Sequence, residues 1–335
     1  MTLTSREIHL QQRPTGAATP ADFALREAEV RDPGEGEVTV RNSFLSVDPY
    51  MRGRMNDAKS YVPPFELGAV MQGGAVGRVV ASRDPAFDEG QLVSSGYGWR
   101  EAFTAKASSL QALPDLEVSD SAFLGVLGMP GMTAWAGVTI VAPVREGDVA
   151  FVSAASGAVG SIAGQLARVQ GALRVVGSAG AAEKCRAVET DFGFDACFSY
   201  RDGSPLRALR AAAPDGIDHY FDNVGGAQLN AAIVHARDHG RFALCGSISS
   251  GYDGSAGEPV TAMGLAVGKR LLLKGFIVSD FGDQQARFLD EVGSLVADGT
   301  VTYRETVFDG IENMPEAFLG LFAGGGQIGK VVVAV

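Results

Sequence analysis

The chain has 335 residues, 46% of them hydrophobic, which suits two domains with a substantial core and excludes a small cross-linked scaffold. Its 28 Lys and Arg against 39 Asp and Glu leave a net charge of -11, so nucleic acid and anionic membrane are excluded as broad partners; only a local basic patch, such as a phosphate site, escapes that argument. The opening MTLTSREIHLQQRP lacks the apolar core of a signal peptide, and no stretch approaches the ~18 continuous apolar residues of a membrane span, which predicts a soluble cytoplasmic protein.

Residues 1 to about 120 read as an all-β module with long loops. Short β-like runs (Glu37 to Arg41, Ala75 to Ala81, Leu92 to Ser95) alternate with turn clusters such as Asp32-Pro33-Gly34, Pro63-Pro64, Asp84-Pro85 and Glu89-Gly90. Helical residues begin near Ser119, and GMPGMT at 128–133 interrupts them ahead of Trp135.

From Val149 the pattern changes. Val149, Phe151 and Val152 read as a buried parallel strand, then small residues carry A-x-G-x-x-G at Ala155, Gly157 and Gly160, then Ile162, Leu166 and Val169 fall at helical spacing. Ala155 makes the tight turn, Gly157 lets backbone approach a pyrophosphate, Gly160 permits close helix-to-strand packing, and the turn Gly157, Ala158, Val159, Gly160 presents the helix N-terminus to phosphate.

Further βα units follow. Strands are predicted at Leu173 to Gly177, Ala196 to Tyr200, Ile217 to Asp222, Arg241 to Gly246 and near Leu271 to Phe276; helices at Ala181 to Thr190, Pro205 to Ala213, Ala227 to Ala236 and Gln284 to Ala297. This alternation forces a parallel sheet with right-handed crossovers, and in that context the glycine turn reads as a dinucleotide site. After about residue 300 come a strand from Tyr303 to Phe308, a helix from Met314 to Leu321, glycines and a closing strand from Lys330 to Val335. The tail is predicted to rejoin the N-terminal β module, so that the nucleotide domain is inserted into it and a cleft between the two holds the substrate.

About 20 residues past the glycine turn, where an NAD site places Asp or Glu, this chain has Gly177, Ser178, Ala179 and Gly180. Ser178 and the backbone amides there can bond a 2'-phosphate, Lys184 can supply a charge and Tyr200 can lie against the ribose, which favours NADPH. Cys185, Cys197 and Cys245 are scattered and lack C-x-x-C spacing, and they read as buried thiols. Of His9, His219, His235 and His239, only the last two can share a helix face, where they read as helix C-terminal residues beside the dipole. No metal site is predicted.

The strings LSVDPYMRGRM (45–55), GMPGMTAW (128–135), AASGAVG (154–160), VVGSAG followed by Glu183-Lys184, YFDNVGG (220–226), CGSIS (245–249) and the closing GK-V-V together resemble the zinc-free branch of the medium-chain dehydrogenase/reductases. Within it, the chain is similar to the prostaglandin reductases, alkenal/one double-bond reductases and curcumin-type reductases, over nearly its whole length. The resemblance implies an α/β fold with a Rossmann doubly wound parallel sheet (123–302) inserted into a GroES-like β-rich catalytic domain (1–122 plus 303–335). It also implies a homodimer and NADPH-dependent reduction of the carbon-carbon double bond of an α,β-unsaturated aldehyde or ketone.

Cofactor contacts carried over with it are Pro49, Thr133 near the nicotinamide, Asn223, Cys245 and Ser247 at strand ends, and Phe276, Ile277 and Val278 around the nicotinamide. Where the family has Asn before the closing apolar-Gly-Lys, this chain has Gln327, whose longer amide is placed toward the nicotinamide side.

In such a reaction hydride attack at the β-carbon drives charge onto the carbonyl oxygen, and with no metal predicted a hydrogen-bond donor must stabilise it. Tyr50, in the turn Asp48-Pro49-Tyr50-Met51-Arg52, is one candidate, since a phenol with a pKa of about 10 stays protonated at neutral pH. Tyr252 matches a substrate-facing tyrosine of the family, and the cofactor's ribose hydroxyl is a third donor. Arg52 reads either as a substrate or phosphate contact or as a structural pair. A zinc-free quinone oxidoreductase, an alcohol dehydrogenase-like enzyme and a non-catalytic NADPH-binding regulator are the alternatives on the same fold.

Overall fold

The structure is a computed structural model and describes residues 3–250 and 257–335. Six parallel strands lie in the order Ala196–Ser199, Arg174–Ala179, Val149–Val152, Ile217–Asp222, Ala236–Leu244, Leu272–Gly275. The first strand in sequence therefore lies third, and chain direction across the sheet reverses between it and Ile217–Asp222. Ligands of doubly wound sheets gather at the carboxyl ends of such a pair. The predicted strands and helices of this region all form, with ends displaced by a few residues.

A second, mixed sheet runs Glu305–Asp309, Lys330–Ala334, Glu37–Ser46, Ala75–Ser82, Leu92–Ser95, Gln111–Ala112, with Ala102–Lys106 pairing Glu37–Ser46. The tail does rejoin the N-terminal module, because Lys330–Ala334 pairs antiparallel with Glu37–Ser46. The hairpin of Leu3–Leu10 and Phe23–Val30 was not expected from sequence. Its strands carry so many charged residues on their outer faces that no apolar run marks them.

One hydrophobic cluster joins the two sheets, with Val76 and Val332 of the mixed sheet continuous with Val152, Phe221 and Ala243 of the parallel one through Leu124, Trp135 and Phe288. Burying these side chains stabilises by about 1.5 to 3 kcal/mol each, so the relative placement of the sheets is part of the core. His235 ends the helix Gly226–His235, whereas His239 lies in the strand Ala236–Leu244 with φ +63. The expected helical histidine pair is thus corrected: the strand begins directly at Ala236 and places the two rings on different elements.

Candidate active site

The carboxyl ends of Val149–Val152 and Ile217–Asp222 open onto a cleft of about 1070 Å³ between the two sheets. Its floor is the turn 153–159. Ala154 takes a left-handed φ of +49, and a Cβ on Gly160 would come within 2.4 Å of the Ala154 carbonyl, so only glycine lets the helix Gly160–Val169 start this close to the turn. The closing segment seals the turn from the other side, where Gly329 N–H donates to Ser156 O at 2.8 Å in a parallel bridge with Gly157.

The neighbouring strand end is organised by Asp222. Its Oδ1 accepts from Tyr220 Oη (2.7 Å), Ser153 Oγ (3.2 Å), Val224 N–H (2.9 Å) and Gly225 N–H (2.8 Å). Burial raises this carboxyl while the two backbone donors oppose the shift. Asn223 Nδ2 donates to Ser153 O at 2.8 Å, so its amide ties the two turns together. Cys245 follows on the next strand end, its thiol pushed up to about 12 by burial and then by Asp222, and Ser247 lies beside Gly225.

At the far end of the cleft lie Gly180, Lys184, Tyr200 and Arg201. Burial and then the Arg201 charge lower the Lys184 ammonium, and the Arg201 guanidinium lies 5.9 Å from the Tyr200 ring centroid. Two cations beside a glycine-lined, acid-free strand end fit a phosphomonoester on a ribose. Ser178 is corrected: it is fully buried, and its hydroxyl donates to Gln228 rather than facing the cleft. Arg201 was missed in the sequence, although its place directly after Tyr200 at a strand end marks it.

On the opposite wall a one-turn helix Tyr50–Arg54 follows Pro49. Burial, then the Asp48 charge, raises the Tyr50 phenol well above its ordinary value, so it remains a donor. Asp48 accepts from Lys330 Nζ at 2.8 Å and from Ser46 Oγ, and Lys330 also donates to Val47 O at 2.9 Å. Arg52 is buried and donates to Asn56 Oδ1 at 2.8 Å and to Gly16 O, contacts that tie loops together. Tyr61, missed in the sequence, is an electrostatic neighbour of Cys245, Arg54 and Asp48, which brings the loop after the helix close to the strand ends.

The remaining expected contacts differ in orientation. Thr133 Oγ1 donates back to Met129 O of its own helix at 2.7 Å, and Gln327 Nε2 donates to Ala317 O at 3.2 Å. Neither side chain turns its donor to the cleft, because each finds a nearer helix carbonyl; Gln327 nevertheless lines the cleft. Phe276, edge-on to Phe221 at 6.4 Å, leads into Ile277 and Val278 just past the last strand. Tyr252 lies outside the described residues. Among those described, no group of three or more His, Cys, Asp or Glu could hold a metal ion, and no helix is long and apolar enough to cross a membrane.

Two family models match the chain: an N-terminal domain of oxidoreductases over residues 6–113 and a zinc-binding dehydrogenase domain over residues 158–294. The chain is 41% identical to an NADPH-dependent curcumin reductase of Escherichia coli, covering 99% of this chain and 97% of the relative. It is 40% identical to an NADP(+)-dependent 2-alkenal reductase of Nicotiana tabacum, covering 99% and 98%. The solved structure of CurA from Vibrio vulnificus in complex with NADPH superposes with a TM-score of 0.92 at 38% identity, covering 98% of this chain and 99% of that one.

Proposed function

Because this chain belongs to the medium-chain dehydrogenase/reductase family, in its zinc-free group of double-bond reductases, we propose that it is an NADPH-dependent reductase of α,β-unsaturated aldehydes and ketones. The observation that carries the reading is the protonated, partly buried Tyr50 in a turn whose neighbouring residues Asp48, Pro49 and Arg52 line the cleft together with the glycine turn, Lys184 and Arg201. NADPH, when bound, supplies the hydride for the β-carbon.

The residues divide the remaining work. The 157–160 turn receives the pyrophosphate at a helix N-terminus, while Lys184, Arg201 and Tyr200 hold the 2'-phosphate and ribose, with backbone at Gly180 close by. Pro49, Asn223, Cys245, Ser247 and the segment 276–278 shape the nicotinamide end. Tyr50 donates to the carbonyl oxygen as charge builds there; its raised pKa keeps the proton in place to stabilise the enolate. Tyr252 is kept as a second substrate-facing donor.

We read residues 1–122 plus 303–335 as the catalytic domain and 123–302 as the nucleotide domain. The same proposal includes a cytoplasmic homodimer. Three free cysteines suit a reducing compartment. The edge strand Leu272–Gly275, with Leu272 exposed on it and Met263, Leu265 and Val267 exposed on the preceding helix Met263–Lys269, suits pairing with a second copy.

The test is NADPH consumption against enals, enones, quinones and alcohols with product analysis. Saturated aldehydes and ketones from the enals and enones are the expected products. Turnover confined to quinones or alcohols would reject the reading, and a monomer in light scattering would reject the dimer.

A further inference from the structure

A second cavity of about 500 Å³ opens beside Tyr50, walled by Val62, Pro64, Phe65 and Val70 and containing Arg54. Tyr50 and Arg54 stand four residues apart on the one-turn helix, so their side chains share a face. The guanidinium lies 4.0 Å from the Phe65 ring centroid. Its Nε donates to Pro63 O at 2.8 Å and its Nη2 to Gln72 Oε1 at 3.0 Å. These acceptors are neutral.

The electrostatic neighbours of Arg54 are also neutral groups, the phenols of Tyr50 and Tyr61, and among the described residues no carboxylate pairs with it. Glu66 is the one acidic residue lining this cavity, and its side chain is not among those neighbours. Half-buried cations in proteins are normally balanced by an anion, because taking a charge out of water is unfavourable unless it is paired. Here the balance is left open, on a planar fork of donors suited to a carboxylate, in a cavity that Val62, Pro64, Phe65 and Val70 make largely apolar, with Gln72 and Glu66 among its polar lining residues.

We propose that Arg54 receives the carboxylate of an acidic substrate, so that the preferred substrates are enones or enals carrying a terminal carboxylate a short methylene spacer away from the double bond. The inference rests on the reductase reading above. Because the phenol and the guanidinium are neighbours, one ligand can place its carbonyl oxygen on Tyr50 and its carboxylate on Arg54 only if the two groups are close along its chain. The apolar walls receive the methylenes between them. Long neutral enones would satisfy Tyr50 and leave the cation unpaired.

The experiment compares three substrates with NADPH: a methyl enone whose β-carbon carries two methylenes and a carboxylate, its methyl ester, and a neutral alkyl enone of equal length. The acid is expected to exceed the ester in kcat/KM by about tenfold or more, the scale of a charge-assisted contact. Arg54→Gln is expected to lower the acid-to-ester ratio by about 10- to 100-fold, a ratio in which any shared effect through Tyr50 cancels. Arg54→Lys should give an intermediate ratio.

Should Arg54→Gln fail to fold, the wild type still decides, since added salt should lower kcat/KM for the acid and not for the ester. Equal use of acid and ester by the wild type, or a ratio unmoved by Arg54→Gln, overturns the proposal and leaves Arg54 as a tie between the loops. Failure with the alkyl enone as well as the other two would instead reject the reductase reading, and this inference with it.

Discussion

Lys330 on the closing strand holds Asp48 of the Tyr50 turn, Nζ to Oδ1 at 2.8 Å, in a pair buried on both sides and spanning 282 residues of chain. Lys330 is adjacent to Gly329, which bridges to Gly157 of the glycine turn. Two consecutive residues of the tail therefore connect the turn that carries Tyr50 to the glycine turn at 154–160.

Removing one partner of such a pair leaves an uncompensated charge in the interior. Lys330→Met should lower stability by about 3 to 5 kcal/mol, and Asp48→Asn together with Lys330→Met should recover much of that. Urea denaturation measures both. A loss below about 1 kcal/mol in the single variant would show that the pair does not hold the two walls.

Tyr50→Phe should lower kcat by roughly 100-fold or more, because a donor aimed at developing charge is worth about 2.7 to 4 kcal/mol. NADPH affinity should hardly change. Since the phenol lies above its ordinary value, no loss of kcat from its ionisation is expected up to about pH 10. Rapid-mixing hydride-transfer rates on a simple enone decide it, and a rate within a few-fold of wild type would remove Tyr50 from the chemistry.

Lys184→Gln and Arg201→Gln should each weaken NADPH about 10- to 100-fold while changing NADH little, since only NADPH carries the 2'-phosphate they are proposed to hold. Fluorescence titration of both cofactors checks this. Parallel loss for the two cofactors would place these cations elsewhere.

His219 is wholly enclosed beside the buried Arg241–Asp148 pair, and burial, then Arg241, depresses its imidazole to about 4. Its unfolded value is about 6.5, so below that pH the unfolded chain takes up a proton that the folded chain refuses. Stability should thus be full above pH 6.5 and fall as pH drops toward 4, by up to about 3 kcal/mol from this group. In His219→Leu that part of the slope should vanish; an unchanged slope of urea midpoint against pH would assign the acid sensitivity to other groups.

The order of strands and helices from Val149 to Leu244, the glycine turn and the return of the tail were legible in the sequence, whereas the helix Met263–Lys269 before the last strand was not. Each rests on a local signal: apolar runs of strand length, helical spacing, and glycines where backbone must approach. The hairpin Leu3–Leu10 with Phe23–Val30 was not, because its charged outer faces break the apolar pattern that marks a strand.

The sequence by itself also determined which residue types stand at the strand ends, since a strand's carboxyl end is set by chain direction alone. It could not decide where side chains point. Ser178 turned inward to Gln228, Thr133 and Gln327 bonded helix carbonyls, and His239 went to a strand, each because a nearer partner or a neighbouring element was available. The tertiary structure alone brought Lys330 to Asp48 and the Tyr61 loop toward Cys245. Those contacts depend on how two sheets pack across a shared core, and no local pattern along the chain encodes that distance.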